Sequence, residues 1–485
     1  MRPALLNVII NDIAIIDFIS VANLRRNERP MRKHYVVIVI DELLQLCNNH
    51  GFGLCTKDGF CYVFNGAYWQ LLDKDELKSF LGEVALLMGV NSVDAKHHQF
   101  REELLAQCFS SANFQPNTKP SGTTLINLRN GTFEIESVKQ SLRDFNKNDF
   151  LTYQLSFDFD PNAQAPMFKE FLDKVLPDIQ AQEILAEYLG YVFIEHSSLK
   201  LEKALMLYGS GANGKSVIFE IVSALLGNEN ISNYSLEKIT SDNYSRAMLS
   251  GKLLNYASEI SNRLNPAVFK QLVSGEPVEA RLPYGKPFTL ANYAKLLFNC
   301  NELPKDVEHT DAFYRRLLIV PFLVTIPVEA QDPLLANKII ASELAGVFNW
   351  ILAGLKRLIC TGQFTVSISV TEVLNQYRMD SNPVQLYLDD MGYIVSIDEK
   401  AKQDLRDLYY GYRKYCEDYG YKPLSYVNFK KRLQNSGIKI ISAHRNLYAC
   451  IERGKQLNPP NAINVARVEI APPSTEELKG YCGLF

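Results

Sequence analysis

The sequence predicts a multidomain α/β protein: an α+β N-terminal domain, a helical collar, a P-loop core and a winged-helix-like C-terminal domain. Three observations carry the core of that prediction. Ala204-Leu205-Met206-Leu207-Tyr208 is a short apolar run with the length of a buried strand. Gly209-Ser210-Gly211-Ala212-Asn213-Gly214-Lys215-Ser216 follows at once and fits G-x-x-x-x-G-K-[ST]. Val217 to Leu226 then reads as a helix stopped by Gly227. Strand, glycine-rich turn and helix N-terminus aim backbone N–H groups at phosphate. In such a loop Lys215 sits on the β/γ-phosphates of a bound nucleotide, and the Ser216 hydroxyl holds Mg²⁺.

Composition bounds the rest. A chain of 485 residues exceeds one ordinary core, so several domains are expected. Hydrophobic content of 47% and charged content of 22% describe a globular protein. A net charge of −3 leaves DNA contact to local basic patches. The cysteines at 47, 55, 61, 108, 300, 360, 416, 450 and 482 include no C-x-x-C pair, which points to reduced thiols and away from a zinc ribbon. The apolar stretch Leu5–Val21 is interrupted by Asn7, Asn11, Asp12 and Asp17, so neither a signal peptide nor a membrane span is expected.

In chain order, residues 1–50 read as an N-terminal extension, with a solvated basic stretch from Arg25 to Lys33 before the apolar run Tyr35–Ile40. Residues 51–160 read as the α+β domain. Asn65-Gly66 and Asn130-Gly131 each lie between β-rich runs, the strongest short hairpin signal. The aromatics around Phe60–Trp69 suit either a small-sheet core or stacking on bases. Helices are expected over Asp73–Met88 and Ala95–Cys108. Asp158 and Asp160 form a D-x-D next to Pro161, read as a domain-edge loop. Residues 161–200 carry apolar positions at helical spacing, such as Phe168, Phe171, Leu172 and Val175, and form the collar.

Four features follow the P-loop within a core spanning 201–360. Lys252 to Ser258 reads as a strand that delivers Glu259. Hydrolysis needs a group to orient the attacking water, and Glu259 is placed for it. Lys295–Cys300 is a second apolar strand. Its end offers Asn301, with Asn299 as the alternative, to hydrogen-bond the γ-phosphate and the water. Arg315 and Arg316 precede the strand Leu317–Pro321 and suit an arginine finger reaching a neighbouring subunit's γ-phosphate. Pro283 to Pro287 suits a hairpin tip, with Tyr284 and Lys286 exposed to grip a base and a phosphate.

This ordered set resembles the superfamily 3 helicases, in the branch of phage, plasmid and poxvirus-type primase-helicases. The match runs through motif A (Gly209–Ser216), motif B (ending at Glu259), the B′ region (Lys270 to Lys286), motif C (Phe298–Pro304) and the segment Arg315-Arg316. The resemblance implies an AAA+ core working as a hexameric ring that tracks one DNA strand 3′ to 5′. It also implies that Arg281 and Lys286 act on DNA. Motif B here has Ser258 before Glu259 where many members carry two acidic residues. Ser216 and Glu259 then hold Mg²⁺ partly through water. The region before the collar lacks both the cysteines of a zinc-type primase and a carboxylate set, so a helicase without priming is expected, served by separate primase or replication proteins.

Residues 370–456 read as helix, helix and hairpin, a winged-helix pattern, and residues 457–485 as a flexible tail. The helix opened by Ser425 carries Lys430, Lys431 and Arg432; the hairpin turn carries Arg445. Between Lys402 and Lys455 there are 12 Lys/Arg against 5 Asp/Glu. Duplex DNA binding and protein docking both suit this segment. The leading reading is an ATP-dependent replicative helicase of a phage, plasmid or other mobile element, acting on single-stranded and forked DNA in a host cytoplasm, away from membranes. The alternative is an AAA+ initiator or loader that melts or remodels DNA without processive unwinding.

Overall fold

The computed structural model describes residues 4–453 except 26, 58–59, 113–121, 137–138, 259–263, 284, 305–309, 397–400, 422 and 444. Glu259, Tyr284 and the tail 457–485 therefore lie outside the described residues. The chain forms two compact units, divided between Ser381 and Asn382.

In the first unit, helix α1 (Arg32–Asn49) buries Val36, Ile38, Val39, Ile40, Leu43 and Cys47. They pack with Leu77, Phe80, Leu81 and Val84 of α2 (Lys74–Leu87) and Phe100, Leu104 and Cys108 of α3 (His98–Ser111). Residues expected to precede this domain thus build its core. The run Val36 to Ile40 is rich in β-branched residues and favours a strand by propensity, but burial against two helices overrides it. Strands β1 (Gly53–Lys57), β2 (Phe60–Phe64) and β3 (Trp69–Leu72) form an antiparallel sheet. Asn65 Oδ1 accepts the backbone N–H groups of Ala67 and Tyr68 at 3.0 and 2.9 Å, which fixes the turn. Phe64 and Trp69 are buried beside Cys55, so these aromatics are core.

A second antiparallel sheet holds β4 (Thr123–Leu128), β5 (Gly131–Glu136) and β6 (Lys139–Arg143). Its Ile126, Leu128, Phe133 and Ile135 share one core with the collar helices α4 (Pro166–Val175) and α5 (Ile179–Tyr191). Packing is continuous across residue 160. Asp158 of the D-x-D is taken by Arg129, which donates to both carboxylate oxygens at 2.8 and 3.0 Å. That pair is a surface tie at the domain edge.

The core follows as β7 (Ala204–Tyr208), α6 (Lys215–Leu226), β8 (Ile231–Ser232), β9 (Leu254–Ala257) and α7 (Pro266–Ser274). Next come the hairpin β10 (Val278–Arg281) and β11 (Pro287–Leu290), then β12 (Lys295–Cys300), the short α8 (Asp311–Tyr314) and β13 (Leu317–Pro321). Five strands make one parallel sheet in the order β13-β7-β12-β9-β8. Leu205, Leu207, Tyr256 and Leu297 join the core on one face, while Met206, Ala257, Phe298 and Ile319 join a second core on the other. Burial on both faces explains the unbroken apolar runs of these strands. Helix α9 (Leu344–Thr361) is apolar and long enough to cross a membrane by composition alone. Its Val347, Phe348, Ile351, Leu355 and Leu358 are buried in the core shared with α5. Helix α10 (Ile368–Asp380), expected to open the C-terminal domain, stays with the first unit.

The second unit holds α11 (Pro383–Asp390), β14 (Tyr393–Val395), β15 (Gln403–Asp404), α12 (Leu405–Tyr419), α13 (Tyr426–Asn435), β16 (Ile440–Ala443), β17 (Asn446–Ala449) and β18 (Ile451–Arg453). Asp404 caps α12 and Ser425 caps α13. Leu405, Leu408, Tyr412, Phe429 and Leu433 bind the two helices into one core. The expected two-stranded hairpin is present, and β15 pairs with β17 as a third strand that the sequence reading lacked.

Candidate nucleotide-binding site

The site begins with strand order. β12 lies between β7 and β9, and the register aligns Cys300 with Tyr208 and Phe298 with Ala257. The three strands therefore end side by side. Whatever follows each strand meets at the C-terminal edge of the sheet: Gly209 after β7, Ser258 after β9 and Asn301 after β12.

The loop after β7 is shaped by its glycines. Gly214 has φ 84° and opens α6, and a side-chain carbon there would lie 2.9 Å from Phe171 and Val175 of α4. A side-chain carbon at Gly209 would collide with the Phe322 carbonyl oxygen. Asn213 is buried and braces the loop: its Nδ2 donates to Phe322 O at 2.8 Å and to Ser210 O. Lys215 Nζ donates to Gly209 O at 2.6 Å, Asn213 Oδ1 at 3.0 Å and Ser210 O at 3.2 Å. Burial pushes its pKa down from the usual lysine value. Among the described residues its partners are neutral carbonyls, and an ammonium so held in a half-dry loop is stabilised by an arriving polyanion.

Lys215, Ser216, Ser258, Asn299 and Asn301 line one cavity of about 1140 Å³. That volume admits a ligand of nucleotide size. Asn299 and Asn301 differ in availability. Asn299 is buried, and its Oδ1 accepts from the Tyr256 hydroxyl at 3.0 Å. Asn301 is exposed to the cavity. Among the described residues no group of three His, Cys, Asp or Glu could hold a metal ion. Mg²⁺ fits such a site through the Ser216 hydroxyl, water and the ligand's own phosphates.

Two walls escaped the sequence reading. Helix α4 contributes Met167, Phe171 and Val175, and the strap Val324–Ala336 contributes Ile326 and Leu335. Ile326 N donates to Ala212 O at 2.8 Å and pins the strap to the P-loop. Glu343 is buried and accepts the N–H groups of Met167 and Phe168 at 3.0 and 2.9 Å, fixing the start of α4. Helical periodicity alone marked these residues as core, and nothing in their spacing ties them to the loop.

The arginines lie elsewhere. Arg315 and Arg316 precede β13, whose first residue pairs with Ala204, the first residue of β7. They stand at the N-terminal edge of the sheet, opposite the P-loop. Strands of five residues separate the two edges by about 15 Å. The two arginines also differ from each other. Arg316 is buried, with its guanidinium donating to Ser274 Oγ at 2.9 Å and Ala312 O at 2.6 Å and pairing with Glu202 at 3.1 Å. These bonds tie α7 to the sheet edge and leave the Arg316 guanidinium little exposed, unlike that of Arg315. Arg315 has a side chain 59% exposed and only a 3.6 Å approach to Glu202.

The expected DNA contacts divide as well. Lys286 is exposed beyond the β10–β11 tip, while Arg281 Nε donates to Gly285 O at 2.9 Å and braces that tip. On α13, Lys431 is exposed, and Lys430 and Arg432 are half-buried beside Phe429 and Leu433. Arg445 is exposed at the β16–β17 turn with φ 67°.

Known proteins share parts of this chain. Residues 41–177 match the family described as D5 N terminal like, and residues 207–316 match DUF5906, a family of unknown function. The L207/L206 protein of Acanthamoeba polyphaga mimivirus, provisionally named a helicase, is 26% identical over 243 residues, covering 47% of this chain and 25% of that protein. The 121R protein of Invertebrate iridescent virus 3, also provisionally named a helicase, is 20% identical over 335 residues, covering 60% and 34%. The chain thus spans between a quarter and about a third of these relatives' length. The apo structure of the NrS-1 C-terminal region covers 85% of this chain and 98% of its own at 12% identity, with a TM-score of 0.48. A D5 N-terminal-like region, helicase-named viral relatives and the motif series on its parallel sheet together make this chain similar to the superfamily 3 primase-helicase branch.

Proposed function

We propose that the chain is the ATP-hydrolysing motor of a replicative DNA helicase, assembled as a ring of copies, with Mg²⁺ and ATP bound at the P-loop. One observation carries the reading: the P-loop and Asn301 face a single cavity at one edge of the sheet, while the exposed Arg315 stands at the other edge. A guanidinium so placed cannot serve its own chain's nucleotide. It suits the triphosphate of a neighbouring copy, where it would stabilise charge developing during phosphoryl transfer. Glu259, directly after Ser258, is the group we assign to orienting the attacking water, and Asn301 the group that senses the γ-phosphate.

In this reading ATP turnover moves the β10–β11 hairpin, and Lys286 grips the phosphates of a single strand in the ring's channel. The second unit supplies duplex contact. Its order of elements, β15, α12, α13 and the β16–β17 hairpin, is that of a winged helix, with Lys431 and Arg445 toward DNA. The basic balance of this unit also favours an initiator that melts DNA without processive unwinding. Strand displacement on forked DNA separates the two. The motor reading expects ATP-dependent displacement that Lys286→Ala abolishes. Displacement by the Lys286→Ala protein would remove the hairpin from the mechanism, and no displacement by the unaltered protein would favour the initiator.

A further inference from the structure

The turn that presents Arg315 is gripped by a helix that the motif series does not include. Arg378, on the last turn of α10, pairs through Nη2 with Asp311 Oδ1 at 3.0 Å. Its guanidinium carbon lies 5.4 Å from the centre of the Tyr314 ring. Asp311 and Tyr314 are the first and last residues of α8, and Arg315 follows directly, its N–H donating to Asp311 O at 3.0 Å. Arg378 therefore holds both ends of the single helical turn from which Arg315 projects. The same stretch of chain adds two more holds. The Tyr314 hydroxyl and Ser381 Oγ lie 2.7 Å apart, and the Tyr377 ring packs edge-on to Tyr314 at 5.6 Å.

The exposure of these groups indicates what the grip is for. The Arg378 and Asp311 side chains are 38% and 82% exposed, and an ion pair that wet adds little to folding. Geometry is what it supplies: a planar guanidinium lying over a ring and hydrogen-bonded to a carboxylate fixes the orientation of a turn. Lys203, whose Nζ donates to Arg315 O at 2.5 Å, has its pKa lowered by burial and then by the charges of Arg315 and Arg378.

We propose that Arg378 is a positioning residue for Arg315, setting the turn from which each copy reaches its neighbour's triphosphate. The proposal rests on Arg315 acting between copies. It also links the finger to α10, the helix that ends where the second unit begins.

Complementation in mixed assemblies tests it. Arg378→Ala should lower ATP hydrolysis about tenfold or more, since misplacing a reacting group by an ångström is enough for that. Its melting temperature should stay near that of the unaltered protein. Such copies keep an intact P-loop but donate a misplaced finger. Lys215→Ala copies have the reverse defect. Mixing the two should restore hydrolysis, because each Arg378→Ala P-loop then meets a well-placed Arg315. Arg378→Lys, which keeps the charge without the planar fork, should fall between. If the alanine variant does not fold, Asp311→Asn removes the same pair and should give the same pattern. Arg315→Ala mixed with Lys215→Ala is the control. Recovery in the control but not with Arg378→Ala overturns the positioning role alone. Recovery in neither overturns the action of Arg315 between copies. Full activity of Arg378→Ala by itself also overturns the proposal.

Discussion

The two edges of the central sheet are built in different ways. At the C-terminal edge, contiguous residues make the site: Gly209 to Ser216 follow β7 directly, and Lys215 is held by carbonyls of its own loop. At the N-terminal edge, the important contacts join distant segments: Arg316 to Ser274, Lys203 to Arg315, and Arg378 to Asp311. The first edge has the make-up of an anion receptor, with backbone N–H groups and a helix N-terminus. The second is a cluster of cations around Glu202, and one of them, Arg315, reaches solvent. In the proposed function, phosphate received at one edge and a guanidinium offered at the other are brought together by copies stacking edge to edge.

The comparison can be broken first at the receptor. Lys215→Ala should remove ATP hydrolysis altogether, measured as phosphate release, and survival of turnover would make the P-loop a scaffold. Arg315→Ala should leave nucleotide binding intact while hydrolysis falls about 10³-fold. Equal losses in binding and turnover would mean that it serves its own chain's pocket. Arg316→Ala sharpens the contrast between neighbouring arginines. It should cost about 3 kcal/mol of stability in denaturant unfolding, because a buried guanidinium and its bonds to Ser274, Ala312 and Glu202 are lost together, and it should affect turnover mainly through folding. Unchanged stability with lost turnover would restore Arg316 to the finger.

A pH-dependent effect comes from an amine buried at the same N-terminal edge. Lys295, the first residue of β12, lies 2.9 Å from His196 Nδ1 and over the Tyr191 ring. Burial pushes its pKa down to about 7, and burial with the Lys295 charge pushes His196 down to about 3. Between pH 7 and the ordinary lysine value of 10.5, the unfolded chain holds a proton that the native chain has released. Stability should therefore rise across that window, by at most about 1.4 kcal/mol per pH unit. Lys295→Met should flatten the slope. For His196 the unfolded chain is the better proton binder from pH 6.5 down to about 3, so stability should fall as the pH drops through that range.

How much of this was legible follows from the same contrast. The P-loop could be read because its chemistry is local: glycines, a lysine and a serine at fixed offsets between a strand and a helix. The Asn65-Gly66 hairpin was legible for the same reason, since the Asn65 side chain makes its own turn. The helical state of Val36 to Ile40 was not, because packing against α2 and α3 decides it. Nor was the split between Arg315 and Arg316, which depends on Ser274 lying in the preceding helix α7. The hold of Glu343 on α4 and of Arg378 on Asp311 crosses 176 and 67 residues of chain respectively. No spacing rule reaches that far.

The central claim is that nucleotide lies between two copies, with the receptor edge of one facing the donor edge of the next. Particle imaging of the protein with a non-hydrolysable ATP analogue and single-stranded DNA tests it most directly. The account predicts a closed ring in which each Arg315 guanidinium lies within hydrogen-bonding distance of the neighbouring γ-phosphate and the Lys286 tips line the hole. Isolated single copies that bind the analogue with Arg315 turned to solvent would contradict it.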